Sequence, residues 1–121
     1  MRVLVVDDCE IMRDVLLRFL HRMEIHPEFA HNGAEAVSAA GVKSFDVILM
    51  DLEMPVLDGR KATHFIRQTG ASKDARIIAV TASSVDEELV GFDGYLKKLP
   101  TFEALAAFVQ KTTLLTKKEV S

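Results

Sequence analysis

The sequence predicts an α/β domain built on a five-stranded parallel sheet with helices on both faces. Two apolar runs, Met1-Arg2-Val3-Leu4-Val5-Val6 and Phe45-Asp46-Val47-Ile48-Leu49-Met50, are rich in Val, Ile and Leu. Runs of that length closed by turn residues are the mark of parallel strands buried on both faces. Strand-like and helix-like segments alternate five times along the chain with short connections between them. That order builds a doubly wound sheet.

Residues 2–7 form the first strand. From Glu10 to Met23, Ile11, Val15 and Phe19 recur every fourth position with Met12, Leu16 and Leu20 beside them. This is a helix with one buried face, and Asp14 and Arg18 stand four apart on its outside. His26-Pro27 breaks the pattern, and Pro27 to Ala30 makes a short strand suited to a sheet edge. Asn32-Gly33 signals a turn, then a small helix runs from Ala34 to Ala40 and Gly41 ends it. Phe45 to Asp51 is the clearest strand of all. After Pro55 and the Asp58-Gly59 turn, a helix covers about Lys61 to Gln68, with Ala62, Phe65 and Ile66 inward and Gly70 as its stop. Ala75 to Val80 is a strand that leads into Thr81-Ala82-Ser83. Residues 84–92 hold two helical turns at most, and Gly94 to Lys97 is the last strand. Thr101 caps a helix carrying Leu105, Phe108 and Val109, and Lys117-Lys118-Glu119 reads as a frayed tail.

A chain of 121 residues builds one core but not two. The expectation is a single domain over 1–121, with its core over about 1–113, a polar tail at 114–121, and Met1 as a natural start. An apolar fraction of 49% is that of a globular protein. The net charge of -3, without a basic stripe, speaks against nucleic acid as a partner. No run approaches the roughly 20 apolar residues that span a bilayer, so no membrane is expected. The opening run is too short for a signal peptide and is cut by Asp7. Cys9, the lone cysteine, excludes an internal disulfide and fits a reducing compartment, so the expected setting is the cytoplasm.

Open parallel sheets bind ligands beyond the carboxyl ends of their strands. In strand order those ends carry Asp7-Asp8, Asp51, Thr81 and Lys97-Lys98. Three acids at two such ends share one pocket and repel one another, so a hard divalent cation is the economical counter-charge. Alone, Asp7-Asp8 reads equally well as a helix cap; Asp51 and the loop after it tip the balance. An acidic pair, an isolated Asp, a hydroxyl and a lysine are the parts needed to place a phosphoryl group on a carboxylate. That reaction depends on positioning and counter-charge, supplied by Mg²⁺ on oxygen ligands, a lysine ammonium and a hydroxyl donor.

Four stretches carry a family resemblance: Val5-Val6-Asp7-Asp8, Ile48 through Gly59, Val80-Thr81-Ala82 and Gly94-Tyr95-Leu96-Lys97-Lys98. Over nearly its whole length the chain resembles a receiver domain of two-component response regulators. The specific part is D-x-x-M-P-x-x-D-G, Asp51 to Gly59, directly after an apolar strand. The resemblance implies a flavodoxin-like fold with strand order 2-1-3-4-5. It implies that Asp51 accepts the phosphoryl group, and that Asp8 and Asp51 bind Mg²⁺ directly, with Asp7 acting through water and Glu53 through its backbone carbonyl. Thr81 is then the switch hydroxyl, Tyr95 the aromatic that follows it inward, and Lys98 the phosphate's partner. Glu53 and Ser83 flank the site and tune hydrolysis. The implied donor is a histidine kinase or a histidine phosphotransfer protein, and the implied output is altered binding to a downstream protein. No enzyme activity is implied beyond the domain's own phosphorylation and dephosphorylation.

Two features depart from the family pattern. Leu99 stands between Lys98 and Pro100, where the family has proline directly after its lysine. A non-proline cis bond costs about 3–4 kcal/mol, so a trans Lys98–Leu99 bond is expected, and alternation along a strand leaves Lys97 open as the site lysine. Thr81 and Tyr95 are only 14 positions apart, so the fourth helix is expected to be shortened or missing. Two other functions use similar parts: a phosphorylation-independent interaction module, and a haloacid-dehalogenase-type phosphatase. Against the phosphatase, the second acid of Asp51-x-Glu53 is Glu and the acidic pair precedes the nucleophile.

Overall fold

The computed structural model describes residues 1–68, 70–82 and 89–110. In chain order the elements are β1 Val3–Val6, α1 Glu10–Arg22, β2 Glu28–Ala30, α2 Gly33–Val42, β3 Val47–Asp51, α3 Gly59–Gln68, β4 Arg76–Thr81 and β5 Gly94–Lys97. After β5 comes another helix, over 102–110, labelled α4; it is not the helix expected between β4 and β5. The strands form one sheet in the order β2-β1-β3-β4-β5, and every neighbouring pair is parallel. The predicted five-stranded α/β sheet and its strand order are therefore present.

The apolar runs are continuous because both faces of the sheet are covered. Val3 and Val5 join Val47, Leu49, Ile78 and Val80 on one face, packed by Met12, Leu16 and Leu20 of α1 and by Leu105 and Val109 of α4. Leu4, Val6, Ile48, Met50 and Ile77 point the other way, onto Ala36 and Ala40 of α2 and Ala62 and Ile66 of α3. Side chains alternate along each strand, so the same strands serve both cores. The edge strand β2 is short, as Pro27 requires.

The helices differ from expectation in detail. The buried stripe of α1 is Met12, Leu16 and Leu20, and Ile11 is 72% exposed. Phe19, from the neighbouring row, is half-buried against Phe102 of α4 at 5.9 Å between ring centroids. Asp14 and Arg18 form no ion pair with each other among the described residues. Asn32 is more than a turn residue: its side chain accepts from the Glu35 N–H at 2.9 Å and so caps α2, which runs through Gly41 to Val42. In α3, Ala62, Thr63 and Ile66 are buried, while Phe65 is exposed. The Thr101 cap of α4 is present, with Ala104 N–H donating to its hydroxyl at 3.1 Å.

Among the described residues no helix stands between β4 and β5, and 89–92 are not helical. The rest of the expected short connection, with Ser83, lies outside the described residues, as does the tail at 114–121.

Candidate functional site

The register brings the acids together. β1 and β3 are hydrogen-bonded neighbours with Val6 opposite Met50, so the next residue of each strand, Asp7 and Asp51, falls at the same level of the sheet edge. Both are almost fully buried, at 1% and 3% exposure, whereas Asp8 is exposed one step further along. One carboxylate oxygen from each of Asp7, Asp8 and Asp51 lies within 4.8 Å of the others. The Lys98 ammonium sits 3.1 Å from Asp7 Oδ2 and 3.2 Å from Asp51 Oδ2. Lys97 is exposed. Of the two lysines left open by the sequence, Lys98 is the one beside the acids.

The Lys98–Leu99 peptide bond is cis, not trans as expected. On one side of that bond Lys98 is held by its backbone N–H, which donates to the Thr81 carbonyl at 2.9 Å, and by its two ion pairs. On the other side Leu99 points into solvent with 69% of its surface exposed, and Pro100 is buried.

Each acid is fixed differently. Asp7 Oδ1 accepts from Cys9 N–H at 2.9 Å, and Asp7 N–H extends the β1–β2 ladder to the Ala30 carbonyl at 3.2 Å. Asp7 Oδ2 is buried and lies 3.1 Å from the Lys98 ammonium. The Asp51 carboxylate accepts from Glu53 N–H at 3.3 Å. Asp8 makes no side-chain hydrogen bond or ion pair among the described residues. Glu53 is exposed, and its carboxylate is not part of the cluster of three acids. Thr81, 1% exposed, ends β4 and pairs in register with Lys97. Tyr95, in β5, is 51% exposed.

Burial, then the charge of Asp7, pushes the Asp51 carboxyl up to about 6; Lys98 and the Glu53 N–H oppose them without cancelling them. Burial pulls the Lys98 ammonium down, but its contact with Asp7 and the charges of Asp51 and Asp7 outweigh this and leave it raised. Two buried carboxylates and an exposed one beside them, all offering oxygen, fit a hard divalent cation.

Two contributors to the site escape a sequence reading. Gly59 begins α3 so close to β3 that a Cβ there would lie 2.0 Å from the Asp51 carbonyl oxygen. In sequence it reads as part of the Asp58-Gly59 turn and as the last residue of the Asp51–Gly59 motif, and neither signal shows how closely it packs on β3. Arg13 of α1 donates through Nη1 to the Asp7 carbonyl at 2.8 Å. A long side chain aimed at a backbone oxygen leaves no pattern in sequence.

A doubly wound parallel sheet with an acidic cluster and a lysine at its carboxyl edge places the candidate site where open parallel sheets bind ligands. The family model for the response regulator receiver domain matches residues 3–110, and the chain belongs to that family. Receiver domains are the phosphorylation-accepting switches of two-component systems, signalling domains rather than enzymes with a separate substrate. The chain is 36% identical over 106 residues to hybrid signal transduction histidine kinase G of Dictyostelium discoideum, covering 81% of this chain and 3% of that protein. It is 36% identical over 124 residues to response regulator MprA of Mycobacterium avium, covering 98% of this chain and 54% of that protein. The chain thus spans about half or less of the length of these relatives. Among solved structures it is similar to the receiver domain of sensor histidine kinase PA1611 from Pseudomonas aeruginosa, which has a magnesium ion coordinated in its active-site cleft. That match has a TM-score of 0.85 and 30% identity, covering 91% of this chain and 94% of that one. Among the described residues no helix is long and apolar enough to cross a membrane.

Proposed function

We propose that the chain is a single receiver domain that takes a phosphoryl group onto Asp51, in a Mg²⁺-dependent reaction, from a histidine kinase or a histidine phosphotransfer protein. The observation that carries this reading is the meeting of three carboxylates within 4.8 Å beside one ammonium. An Asp51 oxygen attacks the phosphorus of a phosphohistidine in line; the O–P bond forms as the P–N bond breaks, and the imidazole leaves to be protonated by solvent. Asp51 is a nucleophile only when ionised, and with its carboxyl near 6 it is mostly so at neutral pH. Lys98 already touches Asp51 and neutralises charge on a transferring oxygen. Thr81, at the end of β4, offers a hydroxyl to another. Mg²⁺, when held by Asp7, Asp8 and Asp51 with the Glu53 carbonyl, supplies the remaining positive charge at the phosphoryl group. Hydrolysis returns Asp51 to its free form, and its rate is set by the groups flanking the site, Glu53 among them. The output is a change in binding to a downstream protein.

Acetyl phosphate, a small donor that needs no kinase, tests the assignment. The wild-type protein is expected to take up label only when Mg²⁺ is present. Asp51→Asn is expected to take up none while keeping its circular dichroism spectrum. Labelling of Asp51→Asn at the wild-type level would overturn Asp51 as acceptor, and a wild type that resists all labelling would favour a phosphorylation-independent module.

A further inference from the structure

Arg13 is outside the set of groups that touch the phosphoryl position, yet its side chain reaches back across the start of α1 to the end of β1. Its Nη1 donates to the Asp7 carbonyl at 2.8 Å, and its own backbone N–H donates to the Cys9 carbonyl at 3.0 Å, closing the first turn of α1. The oxygen it holds belongs to the peptide plane that joins Asp7 to Asp8. Fixing that plane constrains the direction in which the Asp8 Cα–Cβ bond leaves the backbone.

Asp8 needs this help. Asp7 is held through its N–H by Ala30, through Oδ1 by Cys9 and through Oδ2 by Lys98. Asp8 is exposed, lies beyond the last ladder pair of β1, and its carboxylate has no hydrogen bond or ion pair among the described residues. Its place within 4.8 Å of the other two oxygens therefore depends on the backbone before it. We propose that Arg13 is a positioning residue, which holds the Asp7–Asp8 peptide so that the Asp8 carboxylate faces the divalent cation.

This inference rests on the reading of the acidic cluster as a Mg²⁺ site, and charge makes it testable. Arg13 brings a positive charge near that site. If it were only a counter-charge, removing it would tighten Mg²⁺ binding. If it positions Asp8, removing it weakens binding, by about tenfold as for other groups that orient metal ligands. Mg²⁺ binding is measured by calorimetry on the wild type, Arg13→Met and Arg13→Lys, with melting in EDTA as a check on folding. The expected result is a Kd raised about tenfold in Arg13→Met and partly restored in Arg13→Lys, whose ammonium still donates to a carbonyl. Wild-type-like or tighter binding by Arg13→Met, beside a wild type that binds, overturns the role of Arg13 alone, whatever its melting temperature. A wild type that binds no Mg²⁺ removes the metal reading and the role of Arg13 with it.

Discussion

The Asp51 carboxyl is held far from its ordinary behaviour in water. Burial and the neighbouring Asp7 push it up to about 6 from an ordinary value of 3.8. In the metal-free protein the folded chain therefore keeps a proton between about pH 4 and 6 that the unfolded chain has already lost. Stability from this group is full below pH 4 and falls as pH rises through 6. Asp51→Asn has no such proton, so in EDTA it is expected to match the wild type near pH 4 and to be more stable than it above pH 6. Urea unfolding of both proteins across that range reads the difference, and parallel curves would contradict the assigned environment. The acids are legible in sequence because each closes an apolar run, and a strand end is where a parallel sheet presents its ligands. The choice of Lys98 over Lys97 is not legible, because adjacent strand residues face opposite sides and the sequence does not say which side meets the acids. Arg13 is also invisible, since its partner is a backbone oxygen.

Among elements, α3 matters most to the site, because its first residue presses on the strand that carries Asp51. Gly59 N–H donates to the Leu52 carbonyl at 2.9 Å, and a methyl group at Gly59 would meet the Asp51 carbonyl oxygen at 2.0 Å. Backbone cannot yield as the end of a flexible side chain can. Gly59→Ala is therefore expected to cost about 1–3 kcal/mol, the usual effect of overpacking, and to slow phosphorylation by shifting the end of β3. Gly41 makes the opposite case. It lies inside α2 with nothing within 4 Å of the place a methyl group would take, so Gly41→Ala is expected to gain about 0.5–1 kcal/mol through helix propensity. Chemical denaturation of the two variants measures both signs, and a neutral Gly59→Ala would show that the α3–β3 junction is looser than described. Helix existence is readable from spacing, but helix rotation is less so: Met12, Leu16 and Leu20 compete with Ile11, Val15 and Phe19 as the inward row of α1, and it is the first row that joins the core formed with the sheet. Likewise Gly41 looks like a stop but is tolerated inside α2, where the Ala71 N–H donates to its carbonyl.

At the scale of the whole molecule, a switch requires that the event at Asp51 reach a surface that partners can touch. The sheet offers a short route. Thr81 ends β4 beside Lys97 of β5, and its carbonyl accepts from Lys98 N–H at 2.9 Å, so the ends of β4 and β5 are tied to each other. Tyr95 lies two residues back along β5 and is half exposed, at 51%, outside the core. We propose that phosphorylation draws the Thr81 hydroxyl toward a phosphoryl oxygen and that the half-exposed ring of Tyr95, on the adjacent strand, then buries surface. A ligand shifts such an equilibrium only by its preference for one state, so a phosphoryl mimic at Asp51 is the proper probe. The chain has one tyrosine and no tryptophan, which makes its intrinsic fluorescence a report on Tyr95 alone. Beryllofluoride with Mg²⁺ is expected to change that emission and to protect the ring from an aqueous quencher. Neither reagent alone should do so, nor both together with Asp51→Asn. An unchanged, fully quenchable Tyr95 in a protein shown by calorimetry to bind beryllofluoride would mean that the signal leaves the site by another route than β5.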